Sequence, residues 1–335
     1  MNDAVTNLIA WIAQTLSPLG PITSIDVSAL ASITLVCISC GLVGSLVVGN
    51  RMAFFSDAMA HTAFAGVATG LIGILIFAQP ASARAAEQYL WLVPLVTIVV
   101  GVLVGSAMEF VRERTGLTND TVIGVFFAAA IGFAVTVIPS VKRKTGIDPD
   151  QFLFGSPLYV RPEELVMLFI LAIVVFAVIV WRYNTMAFGV ISPPLARSRG
   201  ISIRLGNYLF IVLLALVVNV SIKAVGVLLM NAILIVPAAA AINIASNARQ
   251  MFRYTLILSL ISGWLGYFIS VNWEVPISSN ERLALAPGGT IVLTAVTLFF
   301  VTMFLGAFRR RFGFDRPASR AGHVHKDGDL QGCCG

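Results

Sequence analysis

Charge is what this sequence has least of. Asp, Glu, Lys and Arg together make up 11% of its 335 residues, against roughly 25% in an ordinary soluble domain. Hydrophobic residues supply 58%, and the mean hydropathy is +0.92. A chain this long cannot cover itself against water with so few charged groups, so lipid must be its solvent. Cysteine is scarce too, at four residues. Cys37 and Cys40 lie one helical turn apart in an apolar run, where thiols serve packing. Cys333 and Cys334 are adjacent in a polar tail, and no structural disulfide is expected. Catalytic signatures are missing as well. The sequence contains no G-x-x-x-x-G-K-S/T phosphate loop, so the chain does not hydrolyse ATP by itself, and neither H-E-x-x-H nor G-x-S-x-G occurs. Residues 1–20 lack a basic n-region and carry Asp3 instead, so a removable signal peptide is not expected.

What is present is a series of apolar runs long enough to cross a bilayer, which takes about 20 residues. They fall at 27–49, 56–78, 89–111, 120–138, 164–181, 206–222, 224–246, 254–273 and 289–308. They predict an all-α polytopic membrane protein with about eight to nine transmembrane helices, located in the cell (cytoplasmic or inner) membrane. Residues 1–26 read as an N-terminal interfacial segment, 27–308 as the transmembrane domain and 309–335 as a disordered cytoplasmic tail. Around Lys223 two spans or one kinked segment are equally consistent with the pattern. The loops at 139–163 and 274–288 are too long for tight turns and are expected to hold short interfacial helices. Pro237 should bend its span. Glycines such as Gly41, Gly44, Gly66, Gly70, Gly73, Gly101 and Gly105 let helices approach closely in lipid.

The net charge of +6 does not point to nucleic acid. Arg112 and Arg114 follow one apolar run, and Arg309, Arg310 and Arg311 follow another, as in cytoplasmic ends of membrane proteins. With 182–205 taken as cytoplasmic, alternation brings 112–119, 247–253 and the tail inside as well. Lys142, Arg143 and Lys144 then fall outside, as the exception.

Asp57 and His61 are the ionisable residues that invite a chemical reading. Four residues apart on a helix, they share one face, and an ionisable group at membrane depth is a functional hypothesis by default. A carboxylate oxygen with an imidazole nitrogen suits Zn²⁺, Mn²⁺ or Fe²⁺. Against this stands an equal structural reading, in which Asp57 caps its helix and His61 hydrogen-bonds inside the bundle. Asn219, Asn231 and Asn243 are expected to bridge helices. Asn119 and Asp120 read as a helix cap, and Glu109 as an interfacial charge. His323, His325, Cys333 and Cys334 match no closed zinc site.

Ordered blocks along the chain carry a family resemblance. They are GNRMAFFSDAMAHTAFAGVATG (49–70), TNDTVIGVFFAAAIGFAV (118–135), DPDQFLFGSPLYV (148–160), LARSRGI (195–201) and KAVGVLLMNAILIVPAAAAINIA (223–245), followed by Pro287-Gly288. Together they resemble the ABC-3 metal permeases, the membrane subunits of zinc, manganese and iron uptake systems. The resemblance implies a fold similar to the vitamin B12 importer type and a transport subunit rather than an enzyme. It also implies three partners: a separate ABC ATPase, an extracytoplasmic metal-binding protein and a second permease copy, identical or different. Asp57 and His61 match the family's intramembrane metal residues; Asn231 stands where the family tends to have a small or apolar residue, and is a weak candidate that adds either a ligand or merely a hydrogen bond. Leu195, Ala196, Arg197, Gly200 and Ile201 match the ATPase-contacting loop. The implied cargo is a transported divalent metal, with no permanently bound cofactor. Ser56 and Ser192 depart from the family pattern, where Gly and Asp are usual.

Two rivals follow from the same residues. One is a proton-coupled secondary transporter using Asp57 and His61 as a relay. The other is an intramembrane metal enzyme, for which no second ligand cluster is visible.

Overall fold

The computed structural model describes residues 5–7, 24–50, 52–78, 89, 91–145, 157, 160–191, 203–278 and 281–311. Its helices are α1 (Ser24–Gly49), α2 (Ala53–Gly73, extended by a π-helical turn at Ile74–Ala78), α3 (Leu92–Thr115), α4 (Asn119–Thr145) and α5 (Pro162–Ile191). There follow α6 (Ile203–Val225), α7 (Val227–Ile244), α8 (Ala248–Asn272), a hairpin of β1 (Glu274–Ser278) and β2 (Glu281–Ala284), and α9 (Pro287–Arg311). Among the described residues, nine helices are long and apolar enough to span a membrane. At 1.5 Å per residue, the 24 residues of α3 reach about 36 Å, enough for a hydrocarbon core of about 30 Å.

Backbone chemistry sets the breaks. Gly116 takes φ 66° after α3, and its N–H reaches back to the Arg112 carbonyl at 3.2 Å. Gly226 takes φ 84° and ψ 162°, a conformation essentially confined to glycine. That one residue divides α6 from α7 and resolves the Lys223 boundary in favour of two spans. Proline does not end α7, which continues through Pro237.

α1 is the central helix: its most apolar stretch is 72% buried, and it packs on α5, α7 and α8. On one side α2 lies between α3 and α4, and α3 packs on α6. On the other side α7, α8 and α9 pack on one another. Ile33, Met59, Ile211, Leu214, Met230 and Ile233 lie in the fully buried core. Leu293 and Phe304 on α9 and Phe169 and Phe176 on α5 are exposed, as lipid-facing residues should be. Glycine allows close contact between α2 and α3: a Cβ on Gly66 would stand 2.9 Å from the Thr97 Cα. Gly73, by contrast, faces open space. Cys37 and Cys40 are free and buried, in keeping with a packing role.

Four expectations need correction. Glu274–Ser278 and Glu281–Ala284 pair as antiparallel strands rather than forming an interfacial helix, with Val275 opposite Leu283. Val275 and Ile277 alternate with polar residues or proline, and Pro276 disfavours a helix interior. Residues 139–145, assigned to a loop, extend α4 through Pro139. Thr118 rather than Asn119 precedes α4, and its hydroxyl meets that of Thr121 at 2.8 Å. Glu109 is not interfacial: its side chain is 1% exposed. Most of residues 1–26, the ATPase-loop residues 195–201, and the tail beyond 311 lie outside the described residues.

Candidate metal site

α2 starts at Ala53 without a side-chain cap. The Ser56 hydroxyl is directed to its own helix, donating to the Ala53 carbonyl at 2.8 Å. Asp57 is therefore the fifth residue of the helix and does not cap it. Its side chain is 45% exposed and that of His61 28%. Both lie on the face that begins with Phe54, which is 70% exposed. Asp57 Oδ1 and His61 Nε2 are 3.8 Å apart, too far for a hydrogen bond. A cation about 2.1 Å from each would join them at an angle of about 130°, so a tetrahedral ligand pair would need the two atoms to close by about 0.4 Å.

The surroundings fix both side chains. His61 meets the Phe127 ring of α4 edge-on at 4.6 Å and stacks with Phe64 at 5.7 Å. From α7, of which it is the fifth residue, Asn231 Nδ2 donates to Asp57 Oδ1 at 2.9 Å. The Asn231 carbonyl oxygen is buried and has no hydrogen-bond partner. All three candidate ligands named from the sequence are thus brought together. Among the described residues, no cluster holds three or more His, Cys, Asp or Glu side chains.

The other polar residues of the spans are partnered differently, and Glu109 Oε2, Asn219 Oδ1 and Asn243 Nδ2 are, like Asn231 Oδ1, buried without a hydrogen-bond partner. Glu109 pairs with Arg112 on its own helix and accepts from Asn207 Nδ2 of α6 at 3.2 Å. Arg112 also donates to Asn119 Oδ1 at 3.3 Å. Glu113 accepts twice from Arg204 Nε, at 3.0 and 2.9 Å. Far along α6, Lys223 pairs with Glu164 of α5 at 3.3 Å. Asn219 donates to the Ala215 carbonyl within its own helix and so does not bridge helices, as Asn231 does. Sequence reasoning missed Phe127 and Asn207, because no local pattern ties them to residues on other helices.

Comparison with known proteins places this architecture. The ABC 3 transport family matches residues 24–306. The chain is 28% identical to the manganese transport system membrane protein MntC of Halalkalibacterium halodurans, over 82% of this chain and 85% of the relative. It is 27% identical to the high-affinity zinc uptake system membrane protein ZnuB of Haemophilus influenzae, over 78% of this chain and 90% of that one. Among solved structures, PsaBC from Streptococcus pneumoniae in complex with Fab shares the fold, with a TM-score of 0.70 at 24% identity, covering 91% of this chain and all of that one.

Proposed function

This chain belongs to the ABC 3 transport family, and from that premise we propose that it is the permease subunit through which a divalent transition-metal ion, Mn²⁺, Zn²⁺ or Fe²⁺, is imported. One observation carries the reading. The carboxylates Glu109 and Glu164, also on spanning helices, each pair with a cationic side chain. Among the described residues, no Lys or Arg pairs with Asp57, which has only a neutral amide and an imidazole beside it. A carboxylate within a spanning helix is costly unless compensated, and a transported cation would supply the missing charge. Relatives named for manganese and zinc transport support the same class of cargo.

The proposed mechanism is alternating access. A separate ABC ATPase, engaging the chain through Leu195–Ile201, supplies the energy, and an extracytoplasmic metal-binding protein delivers the ion. A second permease copy faces the first and contributes its own Asp57 and His61. Carboxylate and neutral imidazole replace part of the ion's water shell. The small number of ligands per chain keeps the ion releasable. The decisive assay is metal uptake by Asp57→Ala and His61→Ala in a reconstituted complex with the ATPase. Both variants should lose uptake, and unchanged uptake in both would overturn the site. The proton-relay alternative predicts uptake that needs a proton gradient but no nucleotide. It gains no support from the 3.8 Å gap between Asp57 and His61.

A further inference from the structure

We propose that Asn231 sets the metal preference of this site, directing it towards oxygen-favouring divalent cations of the Mn²⁺ and Fe²⁺ type and away from Zn²⁺. The inference rests on the Asp57–His61 reading above and names the third donor that completes one chain's share. The amide has a defined sense. Its Nδ2 faces Asp57 Oδ1 at 2.9 Å, and the flipped amide would set a carbonyl against a carboxylate oxygen. The carbonyl oxygen, only one amide group removed from that contact, is buried without a hydrogen-bond partner. An unsatisfied buried acceptor beside an uncompensated carboxylate is suited to a cation rather than to a donor already in place.

With the ion bound, the donor set from one chain is a carboxylate oxygen, an amide oxygen and an imidazole nitrogen. Neutral carbonyl and carboxylate oxygens suit Mn²⁺ and other hard ions, whereas Zn²⁺ favours nitrogen and sulfur in four-coordinate sites. Among the described residues, no thiol joins Asp57 and His61 in a cluster; Cys37 and Cys40 are buried on α1. The amide also holds Asp57 Oδ1, so it orients one ligand and supplies another. Asn231 is 174 residues from Asp57 in the chain and is joined to it only by the packing of α7 against α2.

The test uses the whole complex, reconstituted with its ATPase and binding protein, and measures uptake of MnCl₂ and ZnCl₂ separately and in competition. Asn231→Ala should weaken uptake of both metals but Mn²⁺ far more, so that its Mn²⁺-to-Zn²⁺ ratio falls roughly 10-fold or more, the scale at which such ligand-shell changes act. Asn231→Asp, which keeps oxygen donors, should recover most of the Mn²⁺ uptake. If Asn231→Ala fails to assemble, Asn231→Ser is read instead. Its shorter hydroxyl falls short of Asp57, and the same drop in the ratio is expected. An equal fall for both metals, or an unchanged ratio, would refute a selectivity role. Full uptake by Asp57→Ala would refute the site reading itself, and this inference with it. Loss of uptake in Asp57→Ala with an unchanged ratio in Asn231→Ala would refute the inference alone.

Discussion

Removal of Arg112 should unmask the cost of a buried charge. The Glu109 side chain is 1% exposed and has two partners, Arg112 and the Asn207 amide, while its second oxygen is already without a hydrogen bond. Arg112→Leu leaves that carboxylate with a single neutral donor. Breaking a buried pair from one side costs about 3–5 kcal/mol, because the remaining charge is uncompensated. For a chain of this size that corresponds to a fall in melting temperature of about 4–7 °C. Replacing both partners, in Glu109→Leu with Arg112→Leu, should restore most of the loss, since an apolar pair of similar volume is often neutral or better. The assay is thermal unfolding in detergent, followed through the five tryptophans. A fall below about 2 °C for the single variant, or a double variant less stable than the single one, would refute the argument that Glu109 is a structural, compensated carboxylate.

Other outcomes follow from the same packing and chemistry. Gly66→Val should destabilise the bundle by about 1–3 kcal/mol, because its side chain meets the Thr97 Cα, whereas Gly73→Ala, facing open space, should lose nothing; melting temperatures in detergent separate the two. Tyr267→Phe removes the hydroxyl that donates to Asp26 Oδ1 at 2.7 Å and should cost about 1.5–3 kcal/mol, read in the same melt.

Much of the architecture was legible because membrane spans are written locally. An apolar run of about 20 residues needs no knowledge of its neighbours, and each of the nine runs read from the sequence corresponds to one helix. What local pattern left open at Lys223 was decided by the positive φ of Gly226, whose glycine identity was visible but whose conformation was not. Asp57 and His61 were legible for the same local reason, four residues apart on one face. The parts that were not legible are contacts between distant residues. Glu109 looked interfacial because its donor Asn207 is 98 residues further along the chain. The hairpin was missed because two short strands of four and five residues carry little pattern of their own.

The Asn231–Asp57 bond also lies at a mechanically distinctive place. α2, α3 and α6 are locked to one another: polar pairs tie Glu109 to Asn207 and Glu113 to Arg204. Further along, a Cβ on Gly105 would stand 2.9 Å from Ile211 and 3.4 Å from Met59, which lies between Asp57 and His61 in the chain. Closely packed interiors transmit displacement rather than absorb it, so a shift of α6 must carry α3 and α2 with it. α7 belongs to the other group, packed chiefly on α8, α9 and α1. The amide-to-carboxylate contact therefore crosses the seam between two groups that hold together internally. On the proposed reading, α6 follows directly from the ATPase-facing segment, and force applied there would open this seam. The movement that opens the pathway would then draw the Asn231 amide away from Asp57. A cation shared across the seam would lose a ligand at the moment its exit appears, which couples release to opening without a separate trigger.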